Sequence, residues 1–171
     1  IMSTSNNYSP PNFTVDIGDL RVDFLSRSTH LAAQSLIESP LHLHTKLEFQ
    51  YIASGTLDVL IDEEATLTIQ QGSALLIPPN ILHRNADSEG QRLALTIAMQ
   101  HLPEHSDPSF SEFHYYCELF SKLRTPAIIT DSTTSYCVNQ LLSLARTPQN
   151  THKINIPHTL QLICSIYHCT F

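Results

Sequence analysis

The sequence predicts a mainly β fold, a small antiparallel barrel or sandwich, followed by a helical segment. Two observations carry this. All four glycines lie in the first ninety residues, where apolar and polar residues alternate. After about residue 108 the alternation gives way to apolar residues at helical spacing. With 171 residues and 42% hydrophobic content, the chain has enough apolar surface to bury a core of ordinary domain size.

The strands come first. Leu57, Val59 and Ile61 alternate with more polar neighbours, as do Leu67 and Ile69, and Leu93, Leu95, Ile97 and Met99 form a further set. Each reads as a short, half-buried strand. Asp62–Ala65 and Gly72 punctuate them as turns. The helices follow. Residues 111–124 place Phe113, Tyr116, Phe120 and Leu123 on one face, and residues 133–146 do the same with Val138, Leu141, Leu142 and Ala145. Asp131 or Ser132 is the expected N-cap of the second helix, and Pro148 stops it. Pro157 suits the first turn of a third helix, since its missing N–H is no loss there. In that helix Leu160, Ile163, Cys164 and Tyr167 form one stripe, with Leu162, Ile166 and Cys169 on the other side. A helix apolar on two faces buries one on its own barrel and the other on a partner, so a homodimer is expected.

Composition excludes several classes. The net charge is −7, and the nine basic residues are scattered. Nucleic-acid surfaces carry a basic patch, because phosphate neutralisation supplies most of the affinity, so this chain alone is expected to be a poor DNA binder. The longest apolar run is the four residues Ala74–Ile77, too short for a membrane span, and the polar N-terminus lacks the apolar region of a signal peptide. Cys117, Cys137, Cys164 and Cys169 form no CxxC pair and read as reduced thiols of a cytoplasmic protein.

The stretch "PLHLHTKLEFQYIASG" concentrates the chemistry. His42, His44 and Glu48 share one parity, and on an extended strand they would point to one face. "GSALLIPPNILHRN" offers His83 from a second strand. Three neutral imidazoles and a carboxylate suit a divalent transition metal with room left for a ligand. They also suit a polar pocket wall, in which Glu48 accepts a hydrogen bond from Arg84 or from a ligand hydroxyl. Barrel-facing candidates are Gln50, Ile52, Leu60 and Ile77.

Together the two stretches resemble the cupin family. Its first motif, H-x-H, three or four residues, E, six residues, G, falls on His42, His44, Glu48 and Gly55. Its second falls on Gly72, Pro78 and His83. Asn80 replaces the middle glycine, and the final asparagine is displaced to Asn85. Asn tolerates the left-handed conformation that this turn needs. The wider pattern of barrel motifs and helical tail resembles the N-terminal effector-binding and dimerisation domain of AraC/XylS-type transcription regulators. The resemblance implies a cupin (double-stranded β-helix, or jelly-roll) barrel followed by a C-terminal helical segment. The expected division is an N-terminal arm over 1–20, the barrel over 21–107, and a helical dimerisation and linker segment over 108–171. It implies a small-molecule effector held by His42, His44, Glu48, Gln50, His83 and Arg84, and no catalysis. The family's metal role falls on His42, His44, Glu48 and His83, with zinc, nickel, manganese or iron as the expected ion. DNA is reached only through a C-terminal helix-turn-helix unit, expected beyond Phe171. The arm is expected to fold over the effector, anchored by Tyr8 and Phe13. The rival is a metal-dependent cupin enzyme of dioxygenase or isomerase type, using the same four residues. His30, His101, His105, His114, His152, His158 and His168 are expected at the surface or in packing. Tyr115 and Tyr116 are expected in the contact between helix and barrel.

Overall fold

A computed structural model describes residues 13–37, 39–86 and 88–145. The third helix, its two stripes, Tyr8, Cys164 and Cys169 lie outside these residues. Eight strands form the barrel: β1 (Phe13–Ile17), β2 (Leu20–Ile37), β3 (Leu47–Ile61), β4 (Ala65–Gln70), β5 (Ala74–Ile77), β6 (His83–Asn85), β7 (Ser88–His101) and β8 (Ala127–Ile129). Among the described residues two α-helices follow β7, α1 (Glu112–Ser121) and α2 (Ser132–Ala145). The strand order is β1-β2-β7-β3-β5-β8, with β4 and β6 pairing the far half of β3. Every strand pairing is antiparallel. Two segments depart from the expected division. Residues 13–17, assigned to the arm, pair with β2, and β8 adds a strand between the helices by pairing with β5.

Strand β3 organises the whole. Its first half lies between β5 and β7, and its second half between β4 and β6. A register shift between Ile52 and Ser54 marks the transfer. Such a bulge bends a strand and increases its twist, which lets one strand serve two sheets. At the same place Gly90 of β7 has φ 151°, and a Cβ there would overlap the Ser54 carbonyl oxygen. Only glycine allows the two backbones to approach so closely.

The bulge also shifts the phase of burial. Before it Gln50 and Ile52 face the barrel interior, and after it Leu57, Val59 and Ile61 do. Leu60, expected inside, is therefore out of phase and only half-buried. The interior core of Ile52, Leu57, Val59, Ile69, Leu75 and Ile77 joins the two sheets. A second core lies on the outer face, where Phe24, Phe49, Tyr51, Leu93 and Leu95 meet Phe113, Tyr116 and Phe120 of α1, Leu123, and Cys137 and Val138 of α2. The helical stripe therefore packs as its spacing predicts. Tyr115 does not. It is 48% exposed, because it points away from the stripe.

Both helices are capped as polar side chains dictate. Ser111 accepts the His114 N–H at the start of α1, and the Asp131 carboxylate accepts the Thr133 N–H at the start of α2. A residue of no marked sequence signature, Asp19, docks α1 on the barrel. It sits in the β1–β2 turn with no exposed surface. Its carboxylate accepts from the Phe113 N–H (3.0 Å), Ser111 Oγ (2.6 Å) and Ser106 Oγ (3.1 Å). Burial alone would push the Asp19 carboxyl up, but these hydrogen bonds outweigh it and hold the group well below the usual carboxylate range.

Candidate metal centre and barrel cavity

The four motif residues converge, by a route different from strand parity. His42 and His44 precede β3 in irregular backbone. His42 forms an isolated bridge with His83, each N–H donating to the other's carbonyl at 2.9 Å. The His44 carbonyl accepts from the Asn80 N–H. Asn80 has φ 63°, the left-handed conformation that its place in the second motif requires. Pinned at both points, the loop folds its histidines over the end of β3.

Ligand atoms of His42, His44, Glu48 and His83 lie within 4.8 Å of one another. His44 Nε2 is 2.5 Å from Glu48 Oε2, and His83 Nε2 is 3.3 Å from the same oxygen. The imidazole centroids of His42 and His83 are 4.4 Å apart. His83 is fully buried, and Glu48 is 4% exposed.

Backbone carbonyls set the tautomers. Pro40 O lies 2.6 Å from His42 Nδ1, and Ile81 O lies 2.9 Å from His83 Nδ1. A carbonyl only accepts, so each Nδ1 carries a proton and donates. Each Nε2 is then left to face the cluster. A neutral His83 would set its Nε2 lone pair against the Glu48 carboxylate, so the space between them favours a cation, whether a proton or a metal ion. Nδ1–H bound to a backbone carbonyl is also how proteins orient a metal-ligating histidine. The donor set thus fits a divalent ion of the zinc, nickel, manganese or iron type, held by His42, His44, Glu48 and His83.

Behind these four residues lies a polar chain. Gln50 Nε2 donates to Glu48 Oε1 at 2.8 Å and to Asn85 Oδ1 at 3.2 Å, while Gln50 Oε1 accepts from the Arg92 guanidinium at 2.9 Å. Arg92 therefore fixes which way the Gln50 amide points, and Gln50 leaves Glu48 Oε2 turned toward the histidines. Burial alone would raise the Glu48 carboxyl. The His83 hydrogen bond and the charges of His83, His44 and His42 overcome this and lower it. Burial likewise lowers the Arg92 guanidinium, opposed by the Glu48 charge.

A cavity of about 440 Å³ opens beside the cluster, lined by His42, His44, Glu48, Asn85, Arg92 and Ala94 among others. Gln50 has no exposed surface and is not among the lining residues, and its amide orients Glu48. Arg84 does not line this cavity. It alternates with His83 and Asn85, which face inward, and lines an adjoining recess with Ser39, Pro40 and Leu41. Among the described residues the buried arginine is Arg92, which sequence reading missed. His101 and His114 are exposed, yet they gather with Asp19, and His101 Nε2 is 3.3 Å from its carboxylate.

Residues 31–98 match the model of the cupin domain. Curated protein sequences give no match. Among solved structures, the AraC-like transcriptional activator CuxR is similar at a TM-score of 0.49 and 10% identity, covering 93% of this chain and 54% of that one. ToxT from Vibrio cholerae O395 is similar at 0.46 and 8%, covering 87% and 52%. A point mutant of Bacillus subtilis oxalate decarboxylase OxdC is similar at 0.30 and 19%, covering 55% and 22%. This chain thus spans about half the length of CuxR and of ToxT, and under a quarter of the decarboxylase. With its two motifs closed around one interior site, the chain carries a cupin domain, a barrel followed by a helical segment.

Proposed function

We propose that this chain is the effector-sensing and dimerising part of a transcription regulator, in which the barrel cavity takes a small molecule and the helices respond. One observation carries the reading. Strand β3 turns Glu48 and Gln50 into the site and, between and beside them, Leu47, Phe49 and Tyr51 onto the helix-covered face. Tyr51 Oη lies 2.7 Å from Ser135 Oγ of α2. An occupant that shifts Glu48 by even a fraction of an ångström therefore moves the same backbone that seats α2. A ligand with different affinity for two such arrangements biases their equilibrium. The resemblance of the motifs and helical tail to AraC/XylS-type sensing domains supports the same reading, as does an acidic chain without a basic cluster.

The second reading, a metal-dependent cupin enzyme, is favoured by the intact ligand set beside an open cavity. A metal held by the four residues would supply a Lewis acid at the cavity wall. Arg92 and Asn85 would orient a polar substrate there.

The test is a fusion. Joined to a helix-turn-helix unit that holds its operator only as a pair, the full chain should confer operator binding, and a version ending at residue 145 should not. The isolated chain should show no sequence-specific DNA binding, and its non-specific binding should vanish at physiological salt. A fusion that stays monomeric and off its operator, or turnover of a small molecule at enzyme-like rates, would overturn the regulator reading.

A further inference from the structure

A cavity larger than the one at the histidine cluster lies at the seam between the barrel and α1, and measures about 560 Å³. Its lining is mainly apolar, with Leu47, Ile97 and Met99 from the sheet and Phe120 and Leu123 from the helical side, and Thr45, Asn80 and Ser121 stand among them. Two cations stand in its lining, Lys46 just before β3 and Arg124 just after α1. Among the described residues no carboxylate lines it. The chain has a net charge of −7 and only nine basic residues, so two cations sharing one cavity without an acid run against its composition. By contrast Arg21 is paired with Asp16, and Lys122 lies 3.9 Å from Glu118. Among the described residues Lys46 and Arg124 have no hydrogen-bond or ion-pair partner.

We propose that this seam is a second ligand site, selective for an organic anion with an apolar body. The chemistry follows from the lining. The apolar walls favour a hydrocarbon or aromatic body, and the cations at the rim favour a carboxylate or sulfonate at one end. The volume lies within the range that holds a small organic ligand. The carbonyl end of α1 opposes an anion through its partial negative charge. That opposition is blunted, because the Leu119 and Phe120 carbonyls already accept the Lys122 and Leu123 N–H groups. Two full positive charges outweigh the remainder. An occupant would touch the start of β3 and the end of α1 together, and so tie helix to barrel. The site stands whether the barrel interior senses or catalyses.

The experiment is calorimetric titration of the full chain with 2-naphthoate, beside 2-naphthol, which keeps the body without the charge, and acetate, which keeps the charge without the body. Naphthoate should bind saturably at one per chain. Naphthol should bind at least tenfold more weakly, and acetate should show no binding. Lys46→Ala and Arg124→Ala should each weaken naphthoate about tenfold, the loss expected for one charge-assisted contact. Both side chains are exposed, so neither variant should shift the melt of the free protein. His44→Ala should bind naphthoate as the wild type does. The proposal fails if naphthoate does not bind at millimolar concentration, or if uptake never saturates. It fails equally if both charge variants bind normally, or if His44→Ala abolishes binding and so places the ligand in the barrel interior.

Discussion

The two faces of β3 are built from five consecutive residues and to opposite ends. On the outer face Leu47, Phe49 and Tyr51 are buried against apolar neighbours and the helices. On the inner face Glu48 and Gln50 are as fully buried, but in a chain of hydrogen bonds that runs from Arg92 to the histidines. Burial of the first kind stabilises the fold, because removing apolar surface from water is favourable. Burial of the second kind costs desolvation, and the paired charges and hydrogen bonds only offset it. The outer face thus supports the fold, and the inner face holds its polar chain at some cost in stability.

The comparison can be broken by substitution. Phe49→Ala should produce the largest loss, about 3–5 kcal/mol, as for other buried aromatic truncations. A chemical denaturation midpoint unchanged by this variant would remove the outer face from its supporting role. His44→Ala and His83→Ala should leave a folded barrel but abolish stabilisation by metal. For the wild type, an ion at a hundred times its dissociation constant adds roughly 2.7 kcal/mol. That corresponds to a melting shift on the order of 2–4 °C per kcal/mol. Melts with and without chelator, plus elemental analysis of untagged protein, measure it. If zinc, nickel, manganese and iron(II) all leave the melt unchanged, the four residues are a polar wall and become effector contacts to be tested as such.

A smaller effect is expected at Asp19, because Asp19→Asn keeps the shape and one acceptor. The Asp19 carboxyl is lowered in the folded state from its ordinary value of 3.8. The charged form is therefore favoured by folding. The advantage of wild type over Asp19→Asn should be complete above about pH 3.8 and shrink as pH falls further, through the folded value. Paired acid melts of the two proteins give the answer; a gap that widens on acidification contradicts it. Smallest is Tyr51→Phe, which removes the hydroxyl facing Ser135 and should cost about 0.5–1.5 kcal/mol. If β3 carries a signal, this variant should also weaken any effect of an interior ligand on dimerisation measured by sedimentation.

Much of this was legible before any coordinates. Alternation marked Leu57–Ile61 and Leu93–Met99 as strands, helical spacing marked the stripe from Phe113 to Leu123, and motif spacing named His42, His44, Glu48 and His83. These signals are local, since each depends on a period or spacing within a few turns of chain. What only the tertiary structure decided is everything that depends on register between distant segments. The bulge at Ile52/Ser54 shifts the phase of β3 and moves Leu60 off the interior. The one-residue alternation of β6 sends His83 and Asn85 inward and Arg84 out. Arg92 reaches Gln50 because β7 pairs β3 in the register Ile52↔Arg92, and Asp19 meets its Phe113 partner 94 residues along the chain. A slip of one residue in any pairing reverses which side chains face in. Residue types and spacing therefore determined the candidate ligands and the elements, while packing decided which charged groups stand beside them.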